Sequence, residues 1–257
     1  MNSYKFSFLT DGNICFSSII GAIFLLSFKY VDFGCFGVLI YLTMTTWIIF
    51  TEVSAYRNKI KQHMCEVYFK QGTVIYSLLQ GKVFSNLMSI FVSFLMAFNF
   101  LLFVFLLDKQ ALLVMLLGVV LFKFTFTYTS ENITEYFTTG AVNAYTSLFK
   151  IFINSLLLSI IYYVFDFITA DVFAFNSDAI IDEAILNVQH SCKQFQDIAR
   201  TLYTIQLNIS SLRMLDGIGT YLASFIYIFT ISLVPFFAYS IVLKKAVDFS
   251  ILFTIKR

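Results

Sequence analysis

The chain has 257 residues, 59% of them hydrophobic and 12% charged, with a formal net charge of +2. Soluble domains carry charge at about a quarter of their positions, so this composition excludes an ordinary soluble fold. The small net charge leaves no electrostatic footprint for nucleic acid. Phenylalanine supplies 33 residues and mean hydropathy is +0.83, values expected of a chain that lives in lipid. The wealth of Phe and Tyr fits an AT-rich genome, bacterial or organellar.

Near the start, Lys5 precedes an apolar run from Ile14 to Phe28 that mimics a secretory signal. No small-x-small cleavage site follows it. Lys29-Tyr30-Val31-Asp32 leads into a second apolar run, so the pair reads as a retained membrane hairpin. A spanning helix needs about 20 mostly apolar residues. Six segments qualify: 14–28, 33–50, 84–107, 111–128, 151–170 and 218–243. They lack the period-two alternation of a lipid-facing barrel strand, which makes helices the expectation. The expected fold is therefore all-α, a single polytopic membrane domain over residues 1–257.

With six spans, both termini share one side. That side carries eleven basic residues: Lys5, Arg57, Lys59, Lys61, Lys70, Lys82, Lys150, Lys244, Lys245, Lys256 and Arg257. The other side carries five, Lys29, Lys109, Lys193, Arg200 and Arg213. The positive-inside rule assigns the richer side, with both termini, to the cytoplasm. Trp47, Tyr30 and Tyr128 fall near span ends, as an aromatic belt requires. The expected location is a bacterial inner membrane, with an organellar membrane as the alternative.

Outside, between the fifth and sixth spans, Asp178 to Leu215 contains neither Gly nor Pro. Ile181, Ile185, Val188, Cys192, Phe195, Ala199 and Leu202 follow alternating steps of 4 and 3, a heptad seam. A second stripe runs from Ile198 through Leu202, Ile205, Ile209 and Leu212. Ser177 and Asp178 can cap the start, and Asp216-Gly217 break the end. An unbroken helix over 178–215 would be a rod of about 57 Å. Two placements follow. The helix rests on its own spans or on the outer membrane surface, or it pairs with protein. Surface helices usually carry a basic polar face, whereas this loop is mostly acidic. That favours protein contact through Ile181, Ile185, Val188, Phe195, Leu202 and Ile209, with a second copy or another subunit as partner.

Inside, Val53, Tyr56, Ile60, Met64 and Val67 make one apolar stripe of a helix over 53–71. Arg57, Lys59, Lys61 and Lys70 supply a basic face, suited to anionic lipid or to a cytoplasmic partner such as an ATPase. Six spans, inner termini, a helical inner loop and an outer helical element resemble in layout the permeases of ATP-binding-cassette exporters. Gln71-Gly72-Thr73 and Gly81-Lys82 faintly echo their coupling region. The outer helix is longer and more regular than that layout implies.

Ionisable residues within spans are functional suspects. Lys123 and Asp166 are the two here, each near a span end and able to snorkel. Asn99 and Asn154 suit hydrogen bonds between helices better than substrate binding. Cys15, Cys35, Cys65 and Cys192 are scattered without a paired spacing, and Cys192 alone is assigned to an outer loop, so no disulfide is expected. His63-x-Cys65 and His190-x-Cys192 fall on opposite sides of the membrane and supply no zinc set. There is no phosphate loop, nucleophile elbow or HExxH, so neither enzyme activity nor a cofactor is expected. Gly and Pro are scarce, with Pro235 the single proline, which disfavours the broken helices of a small-molecule carrier. The leading expectation is a non-enzymatic subunit of a translocation or secretion complex, a channel or platform assembling through its outer helix. A permease subunit driven by a separate ATPase is the first alternative. A membrane-perturbing effector or its immunity partner is the second.

Overall fold

The computed structural model describes residues 19, 21, 23, 27, 28, 34–68, 82–106, 109–136, 139–169, 192–212, 219, 222, 225, 226 and 232–255. Among these residues there are six helices and no strand. They are α1 (Gly34–Tyr68), α2 (Lys82–Phe105), α3 (Lys109–Tyr136), α4 (Thr139–Thr169), α5 (Lys193–Leu212) and α6 (Val234–Ile255). Three helical stretches are long and apolar enough to cross a membrane: Gly34–Lys61, Ser85–Phe105 and Tyr145–Phe165. A shorter apolar stretch, Ala111–Phe122, lies in α3. Most of the predicted span 14–28 falls outside the described residues, as does much of 218–231.

The packing follows from side-chain size. On α2 the buried positions Ser85, Ser89, Ser93 and Ala97 recur every four residues, one face of a helix. Such a small-residue stripe lets a neighbouring backbone come close, which is how helices associate in lipid. Hydroxyls inside the bundle turn back onto their own helix: Ser89 donates to the Ser85 carbonyl and Ser159 to the Ser155 carbonyl, each at 2.8 Å. Past Ala97 the same helix becomes bulky, with Phe100, Leu101, Val104 and Phe105 all buried. α6 packs against α1, α2, α3 and α4, and most of its side chains from Phe236 to Leu243 are buried. Pro235 stands in the first turn of α6, just after a wide π turn at Ser232–Leu233. That irregularity accommodates the amide hydrogen that proline lacks.

Several boundaries differ from expectation. The predicted second span and the inner helix over 53–71 are one continuous helix, α1, of 35 residues. Nothing between them breaks the ladder: Thr51, at the expected break, bonds its hydroxyl to the Ile48 carbonyl at 2.8 Å. α3 runs on past the apolar segment 111–128 and α4 starts well before 151, through Thr, Ser, Asn and Gly residues of low intrinsic helix propensity. The outer helix is not an unbroken 38-residue rod. Cys192 is non-helical and caps α5, its carbonyl accepting the Gln196 amide at 3.1 Å. Residues 178–191 and 213–215 of the expected rod lie outside the described residues.

Packing requires a glycine at position 118. A Cβ on Gly118 of α3 would lie 2.9 Å from the Tyr239 ring and 3.1 Å from Leu158. Tyr239 cannot withdraw cheaply, because its buried hydroxyl donates to the Met115 carbonyl at 2.7 Å. Gly118→Ala should therefore destabilise the bundle by about 1–3 kcal/mol, as overpacking does. Thermal unfolding of the purified protein in detergent measures this, and an unchanged midpoint would refute the close approach of α3, α4 and α6.

Candidate functional site

The bundle has two polar poles. Along α1, Cys35 and Glu52 are separated by about 26 Å at 1.5 Å per residue. The hydrocarbon core of a bilayer is about 30 Å thick. The two poles thus bracket the apolar part of the fold.

The first pole is a knot of charge built from three helices. Glu52 and Tyr56 lie one turn apart on α1, on the face that also buries Ile49 and Val53. Lys244, Lys245 and Asp248 come from α6, and Ser147 and Lys150 from α4. The Glu52 side chain is 4% exposed. One of its oxygens accepts from Lys244, and the other accepts from Lys245 at 2.7 Å. Lys244 also donates to Asp248 at 2.9 Å, an i,i+4 pair on α6. The Tyr56 hydroxyl lies within hydrogen-bond reach of Glu52 and shares a bond with the Ser147 hydroxyl at 3.0 Å. Lys150 is buried beside Lys244, and Arg57 approaches the Ser89 hydroxyl at 3.5 Å. A lone carboxylate in this position would be expensive to bury. Two ammonium groups, one on each oxygen, make the burial tolerable.

Between the poles, polar side chains link helix to helix. Asn154 on α4 is fully buried and donates to the Ser240 hydroxyl on α6 at 2.9 Å. Its carbonyl oxygen is also 3.5 Å from the Thr125 hydroxyl on α3. Asn99 is half-buried on α2. An open apolar cleft of about 420 Å³ lies between α4 and α6, lined by Tyr145, Leu148, Phe149, Phe152 and Phe237.

The second pole is a disulfide, Cys35–Cys192, with Cα atoms 4.5 Å apart. The absence expected from the scattered cysteines is thus corrected. Spacing carries no information on a pair 157 residues apart, and Cys35 sits in the first turn of α1, at the same end of the bundle as Cys192. Beside the bond, Phe195 is 5% exposed. Its ring meets Phe105 and Phe98 edge-on at 5.1 and 6.4 Å and Phe28 at 6.0 Å. Phe195 therefore packs inside its own chain instead of reaching a partner, because the bond holds its end of α5 against the bundle. Ala199, one turn on, is buried with it, while Ile198 and Ile205 are 42% and 48% exposed.

The other predicted site residues are dispersed. Lys59 is exposed, and Arg57 and Lys61 are half-buried on α1. Ile181, Ile185, Val188 and Lys70 lie outside the described residues, as do the side chains of Leu202, Ile209, Lys123 and Asp166. In the sequence, Lys150, Lys244 and Lys245 register only as inner-side charge, and Glu52 has no assigned role. The missed signal was an acid followed by Tyr at i+4 at the end of one span, with a Lys pair and an acid at i+4 at the end of another. Comparison with known proteins finds no protein family, no curated relative and no solved structure that matches this chain.

Glu52→Gln would leave Lys244 and Lys245 without their shared carboxylate, at an expected cost of about 3–5 kcal/mol. Replacing Glu52, Lys244 and Lys245 together with Met should cost much less. Unfolding midpoints of the two variants in one detergent compare them. A triple variant as unstable as Glu52→Gln would show that the loss is not one of uncompensated charge.

Proposed function

We propose that this chain is a six-span membrane protein of a bacterial inner membrane, with both termini cytoplasmic, and a non-enzymatic subunit of a larger translocation or secretion assembly. It serves as platform or channel wall. The observation that carries this reading is the use of the polar side chains. Among the described residues they tie helices to one another, through Glu52 with Lys244 and Lys245 and through Asn154 with Ser240, and do not converge on a cavity. A ligand site typically combines an apolar cleft with a few convergent polar groups, and the cleft between α4 and α6 has an apolar lining. The orientation has support from both poles: the charge knot lies with the eleven basic residues, and the disulfide with the five.

Assembly is assigned to the face of α5 that the fold leaves open. Ile198 and Ile205 are spaced by seven, two turns apart on one face, and both are exposed. Charge there should abolish assembly while leaving the buried Phe195 contacts intact. The native protein and an Ile198→Asp/Ile205→Asp variant would be purified in nanodiscs, their complex masses measured and the co-purifying proteins identified. A native complex that falls to a folded monomer in the variant is expected. A native monomer, or a variant that assembles normally, would refute the reading.

The permease alternative has one observation in its favour. α1 runs about 24 Å beyond Glu52, and α4 begins about 16 Å before Lys150, at 1.5 Å per residue. The C-terminal end of α1 and the N-terminal end of α4 thus extend past the knot on the basic side, where an ATPase would dock. In that case Ala at Arg57, Lys59 and Lys61 should lower the activity of a co-purified ATPase several-fold. Failure of any ATPase to co-purify would remove this alternative.

A further inference from the structure

We infer that the Cys35–Cys192 bond is installed by a dithiol–disulfide oxidoreductase on the outer face of the membrane, and that it clasps the start of α5 onto the bundle. The inference rests on the orientation proposed above. The two residues are 157 positions apart, and α1, α2, α3 and α4 are threaded between them. Cys35 lies in the first turn of α1 and Cys192 caps the first turn of α5. Cys192 emerges after α1 to α4 and before α6, so the bond cannot form until four helices have been made. A stable disulfide also requires an oxidising compartment, since cytosolic thiols are kept reduced. The end that carries the bond is the end poor in Lys and Arg, which the positive-inside rule independently assigns outside.

The chemistry is a thiol–disulfide exchange. One thiolate of the pair attacks the oxidoreductase disulfide and forms a mixed disulfide, releasing one enzyme thiolate. The second thiolate of the pair then displaces the enzyme. The Cys35–Cys192 bond forms, the two thiol protons pass to water or to the enzyme thiolates, and the two electrons leave on the enzyme as its dithiol.

The geometry assigns the bond a specific task. α5 has 20 residues, yet its described buried side chains are few: Phe195 and Ala199, with Cys192 just before them. Lys193, Gln194, Asp197, Ile198, Arg200 and Thr201 are exposed. Over the described part of α5 so narrow a buried face holds the helix weakly by packing alone, so the covalent link fixes its start. Reduction should free α5 while the other helices stay packed through Glu52, Asn154 and Tyr239.

Free thiols in intact cells would be blocked with a permeant maleimide. The denatured full-length protein would then be reduced and labelled with a mass-tagged maleimide. Two tags are expected on the native chain and on Cys15→Ser and Cys65→Ser, and none on Cys35→Ser or Cys192→Ser. No tags on the native chain, or tags surviving in either partner variant, would overturn the pairing. The native tags should disappear in cells that lack the outer thiol-oxidising enzymes, and their persistence would overturn the assigned partner. A membrane-impermeant reductant applied to spheroplasts should open the bond. If only a permeant one does, the proposed orientation fails while the pairing stands. Finally, trypsin should cut at Lys193 or Arg200 only after reduction or in Cys192→Ser. An identical digest of the oxidised and reduced protein would overturn the clasp.

Discussion

A carboxylate withdrawn from water cannot stay charged without company, and the company chosen here comes from the far end of the chain. Glu52 reaches Lys244 and Lys245 across 192 residues of sequence, and the helices that carry them must come to rest at one depth and one rotation. Separating α1 from α6, or sliding one a single turn along the other, would leave a buried charge uncompensated, at a cost of several kcal/mol. The hydrophobic effect has little power to align helices within lipid, where tails and side chains are equally apolar. A charge knot at one end supplies the register that greasy surfaces leave undetermined.

Fine adjustment comes from size. Ser85, Ser89, Ser93 and Ala97 give α2 a shallow groove, and Gly118 gives α3 a notch for the Tyr239 ring. Asn154 then ties α4 to α6 at 2.9 Å and approaches Thr125 on α3. Outward from these contacts the surface is uniformly greasy, with Phe36, Leu39, Trp47, Leu87, Phe91, Val120 and Phe124 exposed. The division is the one a bilayer imposes: polar groups such as Asn154 and Ser240 are gathered inside, and apolar side chains face the solvent that the membrane provides.

The sequence made the helical class legible, because hydropathy is a local property. It also made Asn154 legible as a link between helices, since a buried amide must find a partner. Boundaries were harder. The stripe Val53, Tyr56, Ile60 reads as a separate inner helix because its composition changes, yet Gly34–Tyr68 is one helix through Thr51. The seam through Phe195 was visible as periodicity, but a seam does not say whose surface it meets. The knot and the disulfide were illegible for a common reason. Both join residues more than 150 positions apart, and pairing at that range belongs to topology.

The continuity of α1 has a mechanical consequence. A single helix of 35 residues bears the disulfide in its first turn and Glu52 farther along, with no glycine or proline hinge between Val38 and Glu52. It acts as a stiff lever through the thickness of the membrane. A tug on α5 at one end tilts the same rod that carries the Glu52 carboxylate, and an event that parts α1 from α6 at the other end must swing Cys35. The two poles of the bundle are therefore mechanically one.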